Sequence, residues 1–219
     1  MNKLNNLSTN SSLVSHYMAQ LRDREIQTDS ARFRNNVHRL GQILAYEISK
    51  TLPATKRDVA TPLGTAPTDI INTEHVVLAT ILRAGLALHE GMLSFLDEAE
   101  SAFVSAYRKY RDGSEQFDIH IEYLAAPSIE QRTLIISDPM LATGRSMLLA
   151  YQALLTHGTP ADIHIASVIA SRQAIDFVKD NFPENTTIWT CALDEQLNEH
   201  AYIVPGLGDA GDLLYGNKI

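Results

Sequence analysis

Residues 133–146 read TLIISDPMLATGRS, and this stretch decides the fold. The apolar run Thr133–Ser137 predicts a buried strand, and an acidic residue, Asp138, follows it directly. A short loop with Thr143 and Gly144 comes next, and a helical pattern resumes after it. In open α/β sheets, ligands bind at the carboxyl ends of the strands. The stretch therefore predicts a strand, a ligand loop and a helix in succession.

The loop between this strand and helix has the chemistry of an anion site. A helix N-terminus attracts anions through its exposed N–H groups and its dipole. Gly144 lets the backbone approach a phosphate without an intervening Cβ. The loop is not a P-loop, because the pattern GxxxxGK[ST] is absent. From the residues alone two interpretations stay open: Asp138 and Thr143 cap a helix, or they help to bind a phosphate.

Outward from this stretch, apolar strands alternate with helical patterns. Strands are predicted over His75–Leu82, Ser101–Tyr107, Asp118–Ala125, Thr133–Ser137, Asp162–Ala170 and Thr187–Leu193. Helices are predicted over residues 30–50, Leu86–Ala99, Ser146–Thr156 and Arg172–Asn181. This alternation indicates an α/β fold with a mostly parallel central sheet flanked by helices.

Two segments have no such pattern. Residues 1–14 are rich in Asn and Ser, and we expect them to be disordered or frayed. The stretch 51–73 contains Pro53, Pro62 and Pro67 and is expected to form a loop or irregular edge structure. The remainder, residues 15–219, is expected to form a single domain.

Composition narrows the possible partners. The 219 residues carry a net charge of -8 without a basic stripe, which argues against nucleic acid and acidic membranes as partners. Cys191 is the sole cysteine, so a disulfide framework is excluded and a reducing compartment is favoured. There is no signal-peptide pattern at the start and no apolar run long enough for a membrane span. The sequence therefore predicts a cytoplasmic protein.

A second informative segment lies near the C-terminus. Residues 197–212 read LNEHAYIVPGLGDAGD, with glycines at 206, 208 and 211. Glycines permit the backbone to approach a flat ligand closely, and main-chain amides could then recognise its polar edge. The alternative is a tightly turned loop with no ligand.

A third segment, ILRAGL at residues 81–86, follows a predicted strand. The planar guanidinium of Arg83 can donate a fork of hydrogen bonds to a pyrophosphate. The alternative is an ordinary surface arginine.

Together these three segments resemble the uracil phosphoribosyltransferases. The string DPMLATG at 138–144 is similar to the family's motif for 5-phosphoribosyl-1-diphosphate (PRPP), and residues 197–212 are similar to its uracil-binding signature. The resemblance covers roughly residues 15–219. It implies the type I phosphoribosyltransferase fold, with a β-arm near 105–127 and a C-terminal uracil-binding hood near 195–219.

The resemblance also assigns roles to residues. Arg83, Asp138 and Asp209 are implied to be catalytic, and uracil is implied to bind at Ile203, Gly208, Asp209 and Ala210. The residues implied to bind PRPP are Arg83, Arg108, Asp138, Pro139, Met140, Leu141, Ala142, Thr143, Gly144, Arg145, Ser146 and Asp209. Lys109, Arg111 and Arg132 are basic alternatives to Arg108.

The implied reaction transfers the phosphoribosyl group of PRPP to uracil, giving UMP and pyrophosphate. Mg²⁺ is the implied cofactor, held mainly by substrate and water rather than by a protein cage. The resemblance also implies a homo-oligomer, a dimer or tetramer, and admits GTP as an activator.

Several residues depart from the family's pattern. Arg145 stands where the family usually has a second glycine, Ala201 replaces another glycine, and residues 110–128 diverge from the usual arm. Arg145 could add a phosphate contact or crowd the loop, and Arg172 could be a new phosphate contact or a helix-surface arginine. These departures motivate an alternative function, a catalytically weak homologue that regulates by binding UMP, PRPP or uracil.

Overall fold

Twelve β-strands and six α-helices are formed by the part of the chain that the computed structural model describes, residues 3–110 and 117–217. Side chains are described for residues 3–105 and 122–217. The helices are α1 (Leu13–Arg22), α2 (Ser30–Ser49), α3 (Leu86–Leu93), α4 (Arg145–Leu154), α5 (Arg172–Asn181) and α6 (Ala210–Tyr215). The strands are β1 (Lys3–Asn6), β2 (Ala54–Thr61), β3 (Gly64–Ile71), β4 (Val76–Ile81), β5 (Glu100–Tyr110), β6 (Phe117–Ala125), β7 (Thr133–Ser137), β8 (Met140–Leu141), β9 (Asp162–Ser171), β10 (Thr186–Asp194), β11 (Gln196–Leu197) and β12 (Ile203–Val204).

The main sheet has the order β1-β10-β9-β7-β4-β5-β6, with β8 beside β9. All its neighbouring strands run parallel except β5 and β6, which are antiparallel. The predicted mostly parallel sheet flanked by helices is therefore confirmed. This order aligns the carboxyl ends of β4 and β7 at one edge, with Thr80 opposite Ser137. Strand β9 continues past them, from Ala166 opposite Ser137 to Ser171.

Helices cover both faces of this sheet because its central strands are apolar on both sides. Val76 and Leu78 of β4 pack on the face that is shared with α1, α2, α3 and α6. Val77 and Ala79 pack on the opposite face, which α4 and α5 cover. Successive side chains of β4 point into two different cores, so its sequence is a continuous apolar run.

Helix α2 shows how local sequence sets an element. Asp29 caps its N-terminus, because the Asp29 side chain accepts a hydrogen bond from the Arg32 backbone N–H at 3.0 Å. Leu40, Leu44 and Ile48 recur on one face and are fully buried. The helix therefore forms where it was predicted, from Ser30 to Ser49.

The N-terminal prediction is wrong for the residues that form β1. Lys3–Asn6 pair in parallel with β10 at the edge of the main sheet, and Asn6 then caps a 3-10 helix over Leu7–Thr9. An edge strand is held by backbone hydrogen bonds on one side, so a polar sequence such as KLNN can form it. Residues 3–9 are therefore not frayed.

The prediction of a loop over 51–73 is also wrong. Strands β2 and β3 form an antiparallel hairpin that is separate from the main sheet. Every residue of β2 is exposed, and Leu63 in the turn is completely exposed. With both faces exposed, the sequence carries no alternation to reveal the strands.

A smaller difference concerns α3, which was expected to continue to Ala99. It ends at Leu93, and the Ser94 hydroxyl donates a hydrogen bond to the Gly91 carbonyl at 2.8 Å. The chain then turns through Leu96, which is buried, into β5. Leu96 therefore contributes to the core from a turn rather than from the helix.

His89, His164 and Cys191 are buried titratable side chains whose pKa values are shifted. Burial lowers the pKa of His89 to about 4 and that of His164 to about 4, the latter against an opposing effect of Asp162. Nδ1 of His164 accepts a hydrogen bond from the Trp189 indole at 3.0 Å. Cys191 is fully buried, and burial raises the pKa of its thiol.

No helix among the described residues has the length and apolar character needed to cross a bilayer.

Candidate active site

The predicted phosphate loop lies between β7 and α4. It borders a small pocket of about 70 Å³ lined by Asp138, Met140, Leu141, Ala142, Thr143, Gly144, Ser146 and Met147. No side chain caps the N-terminus of α4. The Arg145 N–H donates to the Thr143 hydroxyl at 3.4 Å, and the N–H groups that follow it in the first turn are available to an anion, as expected for a phosphate site.

Gly144 adopts a conformation that other residues rarely reach. Its φ is 75°, in the left-handed region, and it is the N-cap residue of α4. A Cβ at this position would lie 2.7 Å from Cδ1 of Phe177. Backbone conformation and packing therefore both require glycine here.

Asp138 has a raised proton affinity. It follows β7 directly, and its Oδ1 accepts a hydrogen bond from the Met140 backbone N–H at 3.1 Å. Burial raises the pKa of Asp138 to about 7, although the Met140 N–H acts in the opposite direction. A carboxyl group with such a pKa at a strand end is typical of functional sites.

Arg145 does not fill this pocket. It is the first residue of α4, it is exposed, and it is absent from the pocket lining. Its backbone N–H donates to the Thr143 hydroxyl at 3.4 Å. Of the two alternatives for Arg145, crowding of the loop finds no support in this arrangement.

The C-terminal segment lies against the phosphate loop. The Ala210 backbone N–H donates a hydrogen bond to Sδ of Met140 at 3.3 Å. Asp209 is the N-cap of α6, and its Oδ1 accepts from the Asp212 N–H at 3.1 Å. Ile203 is buried in β12, while Gly208 is exposed. Two segments that are about 70 residues apart in the sequence thus meet at one edge of the sheet.

Arg83 contacts the same C-terminal segment. Its Nη2 lies 3.4 Å from Oδ1 of Asp212 and also donates to the Gly216 carbonyl. Nε of Arg83 is buried and has no hydrogen-bond partner. Arg108 lies on β5, but its side chain falls outside the described residues, so its predicted role cannot be compared with contacts.

Arg172 is a helix-surface arginine. It is the first residue of α5, and its guanidinium forms an exposed ion pair with Glu195, at 3.0 Å from Nη2 to Oε1. A second hydrogen bond joins Nε of Arg172 to Oε2 of Glu195 at 3.3 Å. Of the two interpretations of Arg172, the structure therefore favours the surface ion pair.

An ion pair with a buried carboxylate, which was not predicted from the sequence, lies beside the C-terminal segment. Arg22, the last residue of α1, binds Asp194 at the end of β10 through two hydrogen bonds of 2.8 Å. Both side chains also bond to the backbone of Gly206. No local pattern could reveal this pair, because its members are 172 residues apart.

The carboxylates at this edge of the sheet could contribute to a cation site. Among the residues that the structure describes, no group of three or more His, Cys, Asp or Glu side chains could hold a metal ion. Asp138 and Asp209 border the site, and each accepts a backbone N–H through Oδ1. Such a set fits a hard cation that is held through one or two carboxylates and the substrate's oxygens.

The sequence and structure were compared with known proteins. The sequence model of the uracil phosphoribosyltransferase family matches residues 8–217. A uracil phosphoribosyltransferase of Porphyromonas gingivalis is 57% identical over 213 residues, 97% of this chain and 98% of the relative. One of Methanothermobacter thermautotrophicus is 40% identical, over 86% of this chain and 85% of the relative.

A solved structure agrees with these sequence matches. The AQ2163 protein from Aquifex aeolicus superposes with a TM-score of 0.84 and 31% identity, covering 99% of both chains. The family's sequence model spans most of the chain, and the three segments that carry the resemblance meet at one edge of a parallel sheet. The chain therefore belongs to the uracil phosphoribosyltransferase family.

Proposed function

We propose that this chain transfers the phosphoribosyl group of PRPP to uracil and releases UMP and pyrophosphate, as a step of pyrimidine salvage. The observation that carries the proposal is the contact between the Ala210 N–H and Met140. It joins the segment that would bind uracil to the loop that would bind the ribose phosphate. Membership of the family supports the same reaction.

The 5′-phosphate of PRPP would bind at the N-terminus of α4. The uncapped N–H groups of this helix and the hydroxyls of Thr143 and Ser146 are the donors. Pro139, Met140, Leu141, Ala142, Gly144 and Arg145 complete the loop, and Asp138 would accept hydrogen bonds from the ribose hydroxyls. The small pocket beside this loop would receive the phosphate group.

The pyrophosphate would bind at Arg83, with Arg108 as a second arginine. Nε of Arg83 is a buried donor without a partner, and a pyrophosphate oxygen would satisfy it. Nη2 of Arg83 is 3.4 Å from Asp212, a long contact that a doubly charged phosphate group would replace.

Uracil would bind at Ile203, Gly208, Asp209 and Ala210. The Ala210 N–H now donates to the Met140 thioether, which is a weak acceptor. A uracil carbonyl oxygen is a stronger acceptor than this sulfur. The exchange of one for the other would favour binding of the base.

The reaction requires positioning more than covalent catalysis. The bond between the anomeric carbon and the pyrophosphate oxygen breaks, uracil N1 forms the new bond, and the N1 proton is lost to water. Positive charge develops on the sugar while pyrophosphate leaves with the electron pair. Asp138 and Asp209 would stabilise the sugar, and Arg83 would stabilise the leaving group.

Mg²⁺ is the proposed cofactor. The carboxylates that would help to hold it are those of Asp138 and Asp209, with most ligands supplied by pyrophosphate oxygens and water. When bound, the ion neutralises charge on the pyrophosphate.

We further propose that residues 15–219, together with β1 of the main sheet, form a single catalytic domain in a cytoplasmic homo-oligomer that GTP activates. The two cores lie on opposite faces of one sheet, which supports a single domain. Strands β5 and β6 would form the arm near 105–127, and the segment from β11 to α6 would form the hood near 195–219.

The direct test is the formation of UMP by purified protein from uracil, PRPP and Mg²⁺, with and without GTP. Asp209→Asn removes the negative charge but keeps a residue type that caps helices well. A loss of turnover in this variant would therefore implicate the carboxylate and not a loss of the α6 cap. Asp29→Asn makes the same change at the cap of α2 and should leave turnover intact.

The alternative function is a regulator that binds UMP, PRPP or uracil with little turnover. Arg145 and the divergent segment 110–128 are the observations that favour it. Binding of UMP by the wild-type chain without release of pyrophosphate under any condition would establish this alternative and overturn the enzyme proposal.

A further inference from the structure

We propose that the buried ion pair between Arg22 and Asp194 positions the loop over residues 203–210 for recognition of uracil. We call this pair and its bonds to Gly206 the Arg22–Asp194 clamp. The inference rests on the proposed function only in taking this loop as the site of the base. Neither residue is proposed to touch a substrate.

The clamp holds both peptide groups of one residue. The Gly206 N–H donates to Oδ2 of Asp194 at 2.9 Å. The Gly206 carbonyl accepts from Nη1 of Arg22 at 3.0 Å. Arg22 and Asp194 are joined to each other by two hydrogen bonds of 2.8 Å. The network therefore ties together the end of α1, the end of β10 and the loop.

The backbone at Gly206 has a conformation and surroundings that require glycine. Its φ is 62°, and a Cβ at Gly206 would lie 2.0 Å from the carbonyl oxygen of Ile203. Ile203 and Leu207, on either side, are buried in the core. The direction in which the chain enters residues 208–210 is consequently set at Gly206, and a recognition site built from main-chain groups needs such support.

Burial makes the clamp sensitive to the loss of either member. The side chain of Asp194 is 7% exposed and that of Arg22 is 26% exposed. Although burial opposes ionisation, the hydrogen bonds from Arg22 and from the Gly206 N–H lower the pKa of Asp194. The pair is therefore charged at neutral pH. Removal of Arg22 leaves Asp194 buried without a counter-charge, and removal of Asp194 leaves a partly buried Arg22 without one.

The phosphate loop has separate supports. The Asp138 carboxylate bonds to the Met140 N–H, and the Ser171 hydroxyl donates to the Ala142 carbonyl. Neither contact involves the clamp. A change at Arg22 or Asp194 should therefore weaken binding of the base much more than binding of the ribose phosphate.

The chain offers a matched control next to the clamp. Arg172 and Glu195 form a neighbouring arginine–carboxylate pair with two hydrogen bonds. This pair is exposed, at 43% and 67%, and it does not bond to the loop. Changes in the control pair should leave both ligands unaffected.

The experiment measures the affinities of UMP and of ribose 5-phosphate by calorimetry, together with KM for uracil and for PRPP. Asp194→Asn and Arg22→Lys should each weaken UMP binding and raise KM for uracil by about tenfold or more. Ribose 5-phosphate affinity and KM for PRPP should change by less than about threefold. The double variant should be no worse than the more severe single variant, because the two residues act as a unit. Glu195→Gln and Arg172→Lys should behave as wild type.

Two outcomes would overturn the inference. One is unchanged UMP binding in folded clamp variants, and the other is an equal loss for UMP and ribose 5-phosphate. Thermal unfolding of each variant identifies the folded ones, and Arg22→Lys keeps the charge if Asp194→Asn does not fold. A wild-type chain that binds UMP but forms none from uracil would contradict the proposed function, while the binding comparison would still test the clamp.

Discussion

Gly144 shows how a single residue prepares the anion site. Its positive φ lets the chain turn from the loop into α4, and its missing Cβ leaves room for Phe177. As the N-cap residue, Gly144 has no side chain to compete with an anion for the N–H groups of the first turn. The function of the loop thus depends on a position at which only one residue type fits well.

We expect Gly144→Ala to lower the free energy of unfolding by about 1–3 kcal/mol and to raise KM for PRPP. The new methyl group would be strained in the left-handed region and would contact Phe177. Urea denaturation and steady-state kinetics measure the two effects. Gly64→Ala is the control, since nothing lies within 4 Å of a Cβ at that position. Similar behaviour of the two variants would contradict this explanation.

Some of the residues around the site could be predicted from the sequence, and others could not. Asp138 and Gly144 could be predicted because strand, carboxylate and glycine lie within one short stretch. Arg22 and Asp194 could not, because each is an unremarkable charged residue until the fold brings them together. A charge pair that forms across 172 residues leaves no periodicity in the sequence.

At the scale of elements, burial decided which strands and helices could be predicted. Strand β7 and helix α5 have the predicted boundaries, because a fully buried strand and a strongly amphipathic helix have clear patterns. Strand β1 and the hairpin of β2 and β3 were missed, because they are polar or exposed on both faces. Backbone pairing, which is independent of side-chain type, holds them together with a few partly buried side chains such as Leu4 and Ile71.

The N-cap of helix α2 should make a measurable contribution to stability. Replacement of its cap in Asp29→Ala should lower the free energy of unfolding by about 1 kcal/mol, because one backbone N–H loses its partner. The KM values should stay unchanged, and Asp29→Asn should retain most of the stability. Equal stability of Asp29→Ala and wild type in urea denaturation would show that the cap contributes nothing.

For the whole molecule, the buried titratable groups set how stability varies with pH. His89 and His164 have a pKa of about 4 in the folded chain against about 6.5 when unfolded, so their contribution is complete above pH 6.5 and is lost as pH falls toward 4. Asp138 acts in the opposite direction, because its folded pKa is raised to about 7. Its contribution is lost as pH rises from about 4 to 7.

Since two histidines oppose one carboxyl group, stability should fall as the pH decreases from 6.5 to 4.5. His164→Asn keeps an acceptor for the Trp189 indole but does not titrate in this range. The difference between urea denaturation at pH 6.5 and pH 4.5 should therefore be smaller in this variant, by on the order of 2 kcal/mol. The same pH dependence in both proteins would exclude His164 as a contributor.

The pairing of β1 with β10 has a consequence for the order of events during synthesis. Residues 3–6 emerge from the ribosome long before their partners, residues 187–190. At translation rates of about 5–20 residues per second, β10 is synthesised roughly 10–40 seconds after β1. The polar sequence of β1 keeps that segment compatible with water, so a strand that is made early is among the last to be incorporated into the sheet.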